Sequence, residues 1–341
     1  MASGFRSPLV EATPAGGRAT FRYHDPAARS VAFTSDATGF AEIPMERAEG
    51  GVWTYAREYP RGARDEYRFI VDGEGRLDPL NDHYAPGGFG PRSECRLPGY
   101  EPPRPVTLPI LGTMVQRTID GHVVDVYLPP RVEGAPLLVV ADGHDYVWFA
   151  GLPGLLDVMI REGTIPPTVA AFVSPVRREL EYHANDAYVD WMADTLLPSI
   201  ATDVPISPDP AAHGLIGASS GGVFATYGVL RRPDAFRLAG VQSPAYRAVD
   251  LGAIVKRVEP PWSSLRIHVD GGRLEMEIGG APYLPHIRRG VALLRAVGAT
   301  VQYNEVDEGH NYTNWRGRLP SVLTWLLCAG LGLPAARQGS Q

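Results

Sequence analysis

The chain has 341 residues, long for one domain of about 100–150 residues, so two units of unequal size are expected. Hydrophobic residues make up 44% and charged residues 21%, enough apolar side chain to build a sizeable core, which excludes disorder throughout. The 32 basic and 38 acidic residues are dispersed and sum to −6, with no basic run to track phosphates, so no nucleic-acid partner is expected.

The opening MASGFRSPLVEATPAGG has no apolar core behind a basic segment, which argues against a secretory signal and for a cytoplasmic location. The longest apolar stretch, Val322 to Leu333, falls short of the roughly 20 residues that cross a bilayer and reads as the closing helix of a domain, so no membrane role is expected. Cys95 and Cys328 neither repeat nor cluster with histidine, so they suggest buried small side chains rather than a disulfide framework or a metal site.

From Thr20 to about Leu80, short runs alternate with turn residues: Val31 to Phe33, Val52 to Arg57 and Glu66 to Val71. Aromatic and β-branched enrichment, with Asp72-Gly73 and Glu74-Gly75 as turns, predicts a small all-β unit without helices. The segment LPGYEPPRP, residues 97–105, holds four prolines and a glycine and can continue neither a helix nor a central strand, so the domain boundary falls there. The expected units are residues 1–100 and 101–333, followed by a flexible tail over residues 334–341.

Past the boundary the pattern becomes β and α in alternation. Strands are expected at His122 to Leu128, Leu137 to Ala141, Val169 to Val173, Gly214 to Gly217, Leu238 to Val241, Leu265 to Val269 and Thr300 to Val306. Several are continuous apolar runs, as strands covered on both faces require. Helices are expected at Leu155 to Glu162, Asp186 to Ile200, Ser220 to Arg232, Ile287 to Val297 and Pro320 to Ala329. The alternation predicts a doubly wound, mostly parallel sheet.

Between an apolar strand and a helix stands Gly217-Ala218-Ser219-Ser220-Gly221, a G-x-S-x-G. At such a sharp turn the serine projects from the strand end, and the glycines let strand and helix backbones cross closely, so Ser219 is the candidate nucleophile. The base must follow it in the chain. His268 lies inside an apolar strand and His286 at a helix start, whereas His310 follows the strand at 300–306 through Asp307-Glu308-Gly309, on a loop at the carboxyl edge. His310 is therefore the candidate general base. The orienting acid belongs on the loop after the preceding strand, where spacing leaves Asp270, Glu275 and Glu277 open.

Hydrolysis also needs donors for the tetrahedral oxyanion: the N–H after the nucleophile, here Ser220, and one from an earlier strand-end loop. The strand at 137–141 ends in DGHDY, so the second donor is a backbone N–H among Gly143, His144, Asp145 and Tyr146, with the side chains of Asp142 and His144 shaping the loop.

Taken together, LLVVADGHDY at 137–146, Arg178 with Glu181-Tyr182, GASSGG at 217–222, RRPDAF at 231–236, QSP at 242–244 and GHNYTNWR at 309–316 resemble the enterochelin (enterobactin) esterase-like branch of the "Putative esterase" family. The resemblance covers about Val106 to Leu331 and implies an α/β-hydrolase fold. The family's Gly-x-x-Asp/Glu element matches Gly272-Arg273-Leu274-Glu275, which favours Glu275 as the acid, with Asp270 second. Family members often carry Glu where this chain has Thr195.

GVWTY, YRFIVDG and DPLN, between Gly51 and Asn81, resemble early-set, immunoglobulin-like sandwich domains related to carbohydrate-binding modules. Trp53 and Tyr67 are nonetheless expected in the sandwich core rather than on a sugar-stacking platform. The implied activity is serine carboxylic-ester hydrolysis through an acyl-enzyme, without metal or organic cofactor. The implied substrate is a small molecule, a catecholate siderophore ester or a related aryl or acyl ester. Arg178, Trp315 and Arg316, with Arg177 and Arg247, are available for an anionic aromatic ligand. Alternatives are a carbohydrate-ester (acetyl or feruloyl) esterase, an acyltransferase and a non-catalytic hydrolase-like binding protein. The sequence leaves the oligomeric state open.

Overall fold

Gly16–His24, which alternates buried and more accessible side chains from Gly17 on, pairs antiparallel with Val52–Pro60 along nine residues, His24 facing Val52 and Gly16 facing Pro60. With Leu9–Thr13 and Glu46–Arg47 they form one four-stranded sheet. A second sheet runs in the order Ile43–Pro44, Val31–Ser35, Arg64–Val71, Arg92–Arg96, Tyr84–Ala85, with Glu74–Arg76 added beside Arg64–Val71.

The core of this front sandwich is aromatic. Phe33 lies 4.4 Å from Phe21, 4.6 Å from Tyr55 and 5.5 Å from Tyr67 between ring centroids, and Tyr67 meets Phe69 edge-on at 5.7 Å. Trp53 and Tyr67 are both buried in the same cluster, and Trp53 Nε1 donates to the Asp25 carbonyl. They hold the sandwich together rather than offering a face to sugar.

The computed structural model describes residues 6–103, 109–258, 262–275, 277–278 and 281–328. Its chain divides into two compact units. The first contains Met1–Pro103, Gly272–Leu284 and Glu305–Asn314; the second contains Arg104–Gly271, Pro285–Asn304 and Trp315–Gln341. The expected tail over residues 334–341 lies outside the described residues, as do Arg104 and Pro105 of the proline-rich boundary.

The second unit is built on a sheet whose strands are labelled here β1 (Thr113–Ile119), β2 (His122–Leu128), β3 (Leu137–Ala141), β4 (Val169–Val173), β5 (His213–Ala218), β6 (Leu238–Gln242), β7 (Arg266–Gly272) and β8 (Thr300–Val306). Their order is β1-β2-β4-β3-β5-β6-β7-β8. β2 pairs antiparallel with both β1 and β4, while β4, β3, β5, β6 and β7 are parallel. All five side chains of β3 and of β4 are buried, which is why those segments are uninterrupted apolar runs.

Several boundaries differ from the sequence expectation, each for a local reason. The helix expected over Asp186 to Ile200 is capped by Asn185, whose side chain accepts from Tyr188 N, but it is broken into Asp186–Trp191, a wide turn Met192–Leu196 and Leu197–Asp203. Pro198 has no N–H to continue the ladder and its ring crowds the preceding turn. The last helix begins at Tyr312, not at Pro320, and runs to Cys328 with Pro320 inside it; Ala329 lies outside the described residues. Its start is fixed by Asn311, whose Oδ1 accepts from Asn314 N at 3.0 Å. Two more helices begin three residues early, at Leu152 and Leu284, and β7 extends to Gly272. Among the described residues no helix is long and apolar enough to cross a membrane. Cys95 and Cys328 are both free and buried.

Phe33→Ala removes the ring at the centre of the front cluster. It is expected to destabilise the chain by about 3–5 kcal/mol, read as a lower urea midpoint; a loss under about 1 kcal/mol would show that the cluster is not what holds the sandwich.

Candidate active site

Ser219 occupies φ 56°, ψ −121°, backbone that a residue with a side chain avoids. Hydrogen bonds fix it there: its N–H donates to the Gln242 carbonyl at 3.0 Å, and its own carbonyl accepts from Gly222 N at 3.0 Å and Ala245 N at 2.9 Å. The glycines of the motif have separate reasons. A Cβ on Gly217 would stand 2.3 Å from the Gly221 carbonyl oxygen, because strand and helix backbones cross there. A Cβ on Gly221 would meet only side chains, Ala141 and Asp142, at 3.3 Å, a milder conflict. The first glycine is thus demanded by backbone and the second by packing.

The loop leaving β3 is held as firmly. Asp142 has φ 51°, its N–H donates to Tyr182 Oη at 2.8 Å, and its carboxylate takes the Arg178 fork through Nε and Nη2, both at 2.8 Å. Gly143 lies so close to β4 that a Cβ would meet the Phe172 carbonyl carbon at 2.3 Å. Tyr146 is fully buried and donates to Gln242 Oε1 at 3.0 Å. His144 is exposed and stands 6.0 Å from the Trp148 ring, and Asp145 is half-buried.

A second tie reaches Ser220. Arg178 Nη1 donates to Glu179 at 2.8 Å, and Ser220 Oγ lies 3.1 Å from both Glu179 Oε2 and His183 Nε2. Arg178 therefore stands between the loop of Gly143 and the residue after Ser219. Its guanidinium links the carboxylates of Asp142 and Glu179.

Gln242 is a hub that sequence reasoning did not single out. Besides accepting from Tyr146 it donates through Nε2 to the Trp315 carbonyl at 2.9 Å, while Trp315 Nε1 donates to Ser243 Oγ at 3.1 Å. Trp315, expected to touch substrate, is 5% exposed and ties the last helix to the loop after β6; Arg316 beside it is half-buried.

Two of the three candidate carboxylates are resolved in different surroundings. Asp270 is buried, accepts from Ser243 N at 3.2 Å and pairs with Arg318 Nη1 at 2.8 Å. Glu275 is fully buried, with Oε2 3.0 Å from His310 Nδ1 and Oε1 accepting from Gly272 N at 3.1 Å. A carboxylate acceptor at that nitrogen suits the tautomer that carries its proton on Nδ1. The Gly-x-x-Glu spacing has a physical cause: Glu275 folds back onto the Gly272 N–H, and a Cβ on Gly272 would strike the Glu308 carbonyl oxygen at 2.1 Å. The side chain of Glu277 lies outside the described residues. The Tyr283 ring packs edge-on to the His310 imidazole at 5.0 Å. Among the described residues no group of three or more His, Cys, Asp or Glu side chains is disposed to hold a metal ion.

A serine forced into this backbone at the end of β5, in a sheet ordered β1-β2-β4-β3-β5-β6-β7-β8, defines the class as an α/β-hydrolase. The chain belongs to the family described as "Putative esterase", which matches residues 120–326. It is 28% identical over 215 residues to the Iron(III) enterobactin esterase of Dickeya dadantii (strain 3937), across 56% of this chain and 48% of that one. The chain thus spans about half the length of this curated relative. The crystal structure of enterochelin esterase from Shigella flexneri superposes with a TM-score of 0.79 at 21% identity, covering 96% of this chain and 97% of that one. The enterobactin esterase FES from Shigella flexneri in the presence of enterobactin gives 0.76 at 22%, covering 95% and 96%.

Asp270→Asn removes the carboxylate charge that pairs with the buried Arg318 guanidinium. The expected effect is on stability, about 3–5 kcal/mol by urea denaturation; an unchanged midpoint would show that this pair does not hold β7 to the last helix.

Proposed function

We propose that the chain is a serine carboxylic-ester hydrolase in which Ser219 attacks the ester carbonyl, His310 carries the proton and Glu275 orients His310, and that its substrates are siderophore esters of the enterobactin kind. The observation that carries the reading is the pairing of two separately built features: a serine held in backbone that its side chain disfavours, and an imidazole whose Nδ1 is engaged by a fully buried carboxylate. Chain order supports it, since Ser219 directly follows β5, Glu275 lies just beyond β7 and His310 just beyond β8.

In the proposed reaction the Nε2 lone pair takes the Ser219 proton as Oγ adds to the carbonyl carbon. The charge on imidazolium is offset by Glu275, and the oxyanion is met by the N–H of Ser220 and a backbone N–H of the Gly143–Asp145 segment, the Tyr146 N–H being taken by the Asp142 carbonyl. The alkoxide leaves with the proton from His310, and water, activated by the same nitrogen, releases the acid from the acyl-enzyme. The siderophore assignment rests on the kinship with enterobactin esterases.

Rapid mixing with a p-nitrophenyl short-chain ester is expected to give a burst of p-nitrophenol that Ser219→Ala abolishes; a burst of unchanged size in that variant would remove Ser219 from the mechanism. Among a triscatecholate trilactone, a feruloyl sugar ester, an acetyl sugar ester and a simple aryl ester, the trilactone is expected to turn over fastest. Preference for either sugar ester would instead favour the carbohydrate-ester alternative.

Glu275→Gln keeps the shape but offers Nδ1 a neutral partner that cannot offset imidazolium. The expected loss in kcat is about 10³–10⁴-fold with the fold retained by circular dichroism. A loss under about tenfold would leave the orienting role to another carboxylate.

A further inference from the structure

The first unit contains, besides the front sandwich, the two chain segments that carry Glu275 and His310. Within that unit the sandwich touches the residues on either side of both. Leu274, next to Glu275, is 8% exposed and forms part of the same aromatic and aliphatic cluster as Phe21, Phe33 and Tyr67. Glu308 forms a parallel β-bridge with Arg64 of the sandwich, and its carbonyl accepts from Leu274 N at 3.1 Å. Gly309 is pressed against Asp36, whose Cβ would lie 2.3 Å from a Cβ added at that glycine. Asn311 donates through Nδ2 to Asp36 Oδ2.

Arg64 is the centre of this arrangement. It is fully buried, and its Nη1 donates at 3.1 Å both to Asn311 Oδ1 and to Asn314 Oδ1. Its remaining donors go to Glu66 at 2.7 Å and to Glu94, the latter also held by Arg96. Glu66, Arg64, Glu94 and Arg96 thus form an alternating row of charges. Burial alone would depress the Arg64 guanidinium, but Glu66 and Glu94 outweigh it and hold it above the usual arginine range, so it stays charged at any working pH. Asn314 in turn donates Nδ2 to the Gly309 carbonyl at 3.2 Å. The residues on either side of His310 are therefore tied to one cation, Asn311 through its side chain and the Gly309 carbonyl through Asn314.

A charged residue buried without water is costly to keep, and a purely structural link between sandwich and loop could be made from apolar side chains. Five planar donors in a fixed fork do something that apolar contacts do not: they set the position of the acceptors to within a fraction of an ångström. We propose that Arg64 is a positioning residue for the reaction, acting through Asn311 and Asn314 to fix the His310 loop, so that the front sandwich holds the proposed base in place. This inference rests on the reading of His310 as the base.

The experiment compares Arg64→Lys, Arg64→Met, Asn311→Ala, His310→Ala and the unaltered full chain on the p-nitrophenyl ester, with kcat, KM and melting temperature for each. Lysine preserves the charge that Glu66 and Glu94 require but cannot fork to both asparagines. Arg64→Lys is expected to melt close to the unaltered chain yet lose about 10–100-fold in kcat with KM within about threefold. Asn311→Ala leaves the charge row intact, remains testable if Arg64→Met does not fold, and is expected to lose kcat to a similar degree. A merely structural role predicts that lysine rescues stability and kcat together. Arg64→Lys and Asn311→Ala both retaining kcat within about twofold, while His310→Ala is inactive, would overturn the positioning role alone; an active His310→Ala would instead overturn the assignment of the base.

Discussion

The backbone of Ser219 sits in a conformation that costs on the order of 1–3 kcal/mol, and the architecture around it is what makes that conformation the only one available. The strain persists because backbone hydrogen bonds fix the peptide groups on either side, and because the crossing of β5 with the helix Ser220–Arg231 leaves no room at Gly217 for anything but hydrogen. Relaxing the turn would require the sheet and that nearly wholly buried helix to separate. The energy of packing a central strand and a buried helix is thereby directed at one hydroxyl group.

The same economy appears in the loops that follow β3 and β6. Asp142 and Gln242 each bind groups from elements far apart in sequence: Asp142 takes Arg178 on its carboxylate and Tyr182 on its N–H, and the Gln242 side chain takes Tyr146 and the Trp315 carbonyl. Neither carboxylate nor amide is left to solvent, and both loops are tied to elements beyond the strands they leave. Preorganised donors are worth most to a reaction when they do not move as charge develops, so these braces are where stability and chemistry meet.

What could be read in the sequence was what is local. β3 and β4 are legible because strands buried on both faces must be continuous apolar runs, and the turn at Ser219 because the requirement for glycine at 217 lies within four residues of Gly221. The kinship-based preference for Glu275 acquires a local cause in the Gly272 turn. Less legible were features whose causes are distant. β1 alternates exposure at the sheet edge and carries no apolar run. Pro320 suggests a helix start, whereas the helix begins at Tyr312, eight residues earlier, behind its cap Asn311. Arg64, Asp65 and Glu66 look like solvated charges opening a strand, yet all are buried; the asparagine partners of Arg64 lie 247 and 250 positions away, and pairing over that range leaves no trace in periodicity.

The central claim is that Ser219 is a nucleophile activated by His310. Its most direct test is reaction of the full chain with a fluorophosphonate, followed by peptide mass spectrometry to find the phosphonylated residue. A single adduct on Ser219, formed at a rate that falls at least about 10²-fold in His310→Ala, is what the account requires. Undiminished ester turnover with no adduct on Ser219, or an adduct on a different residue, would contradict it.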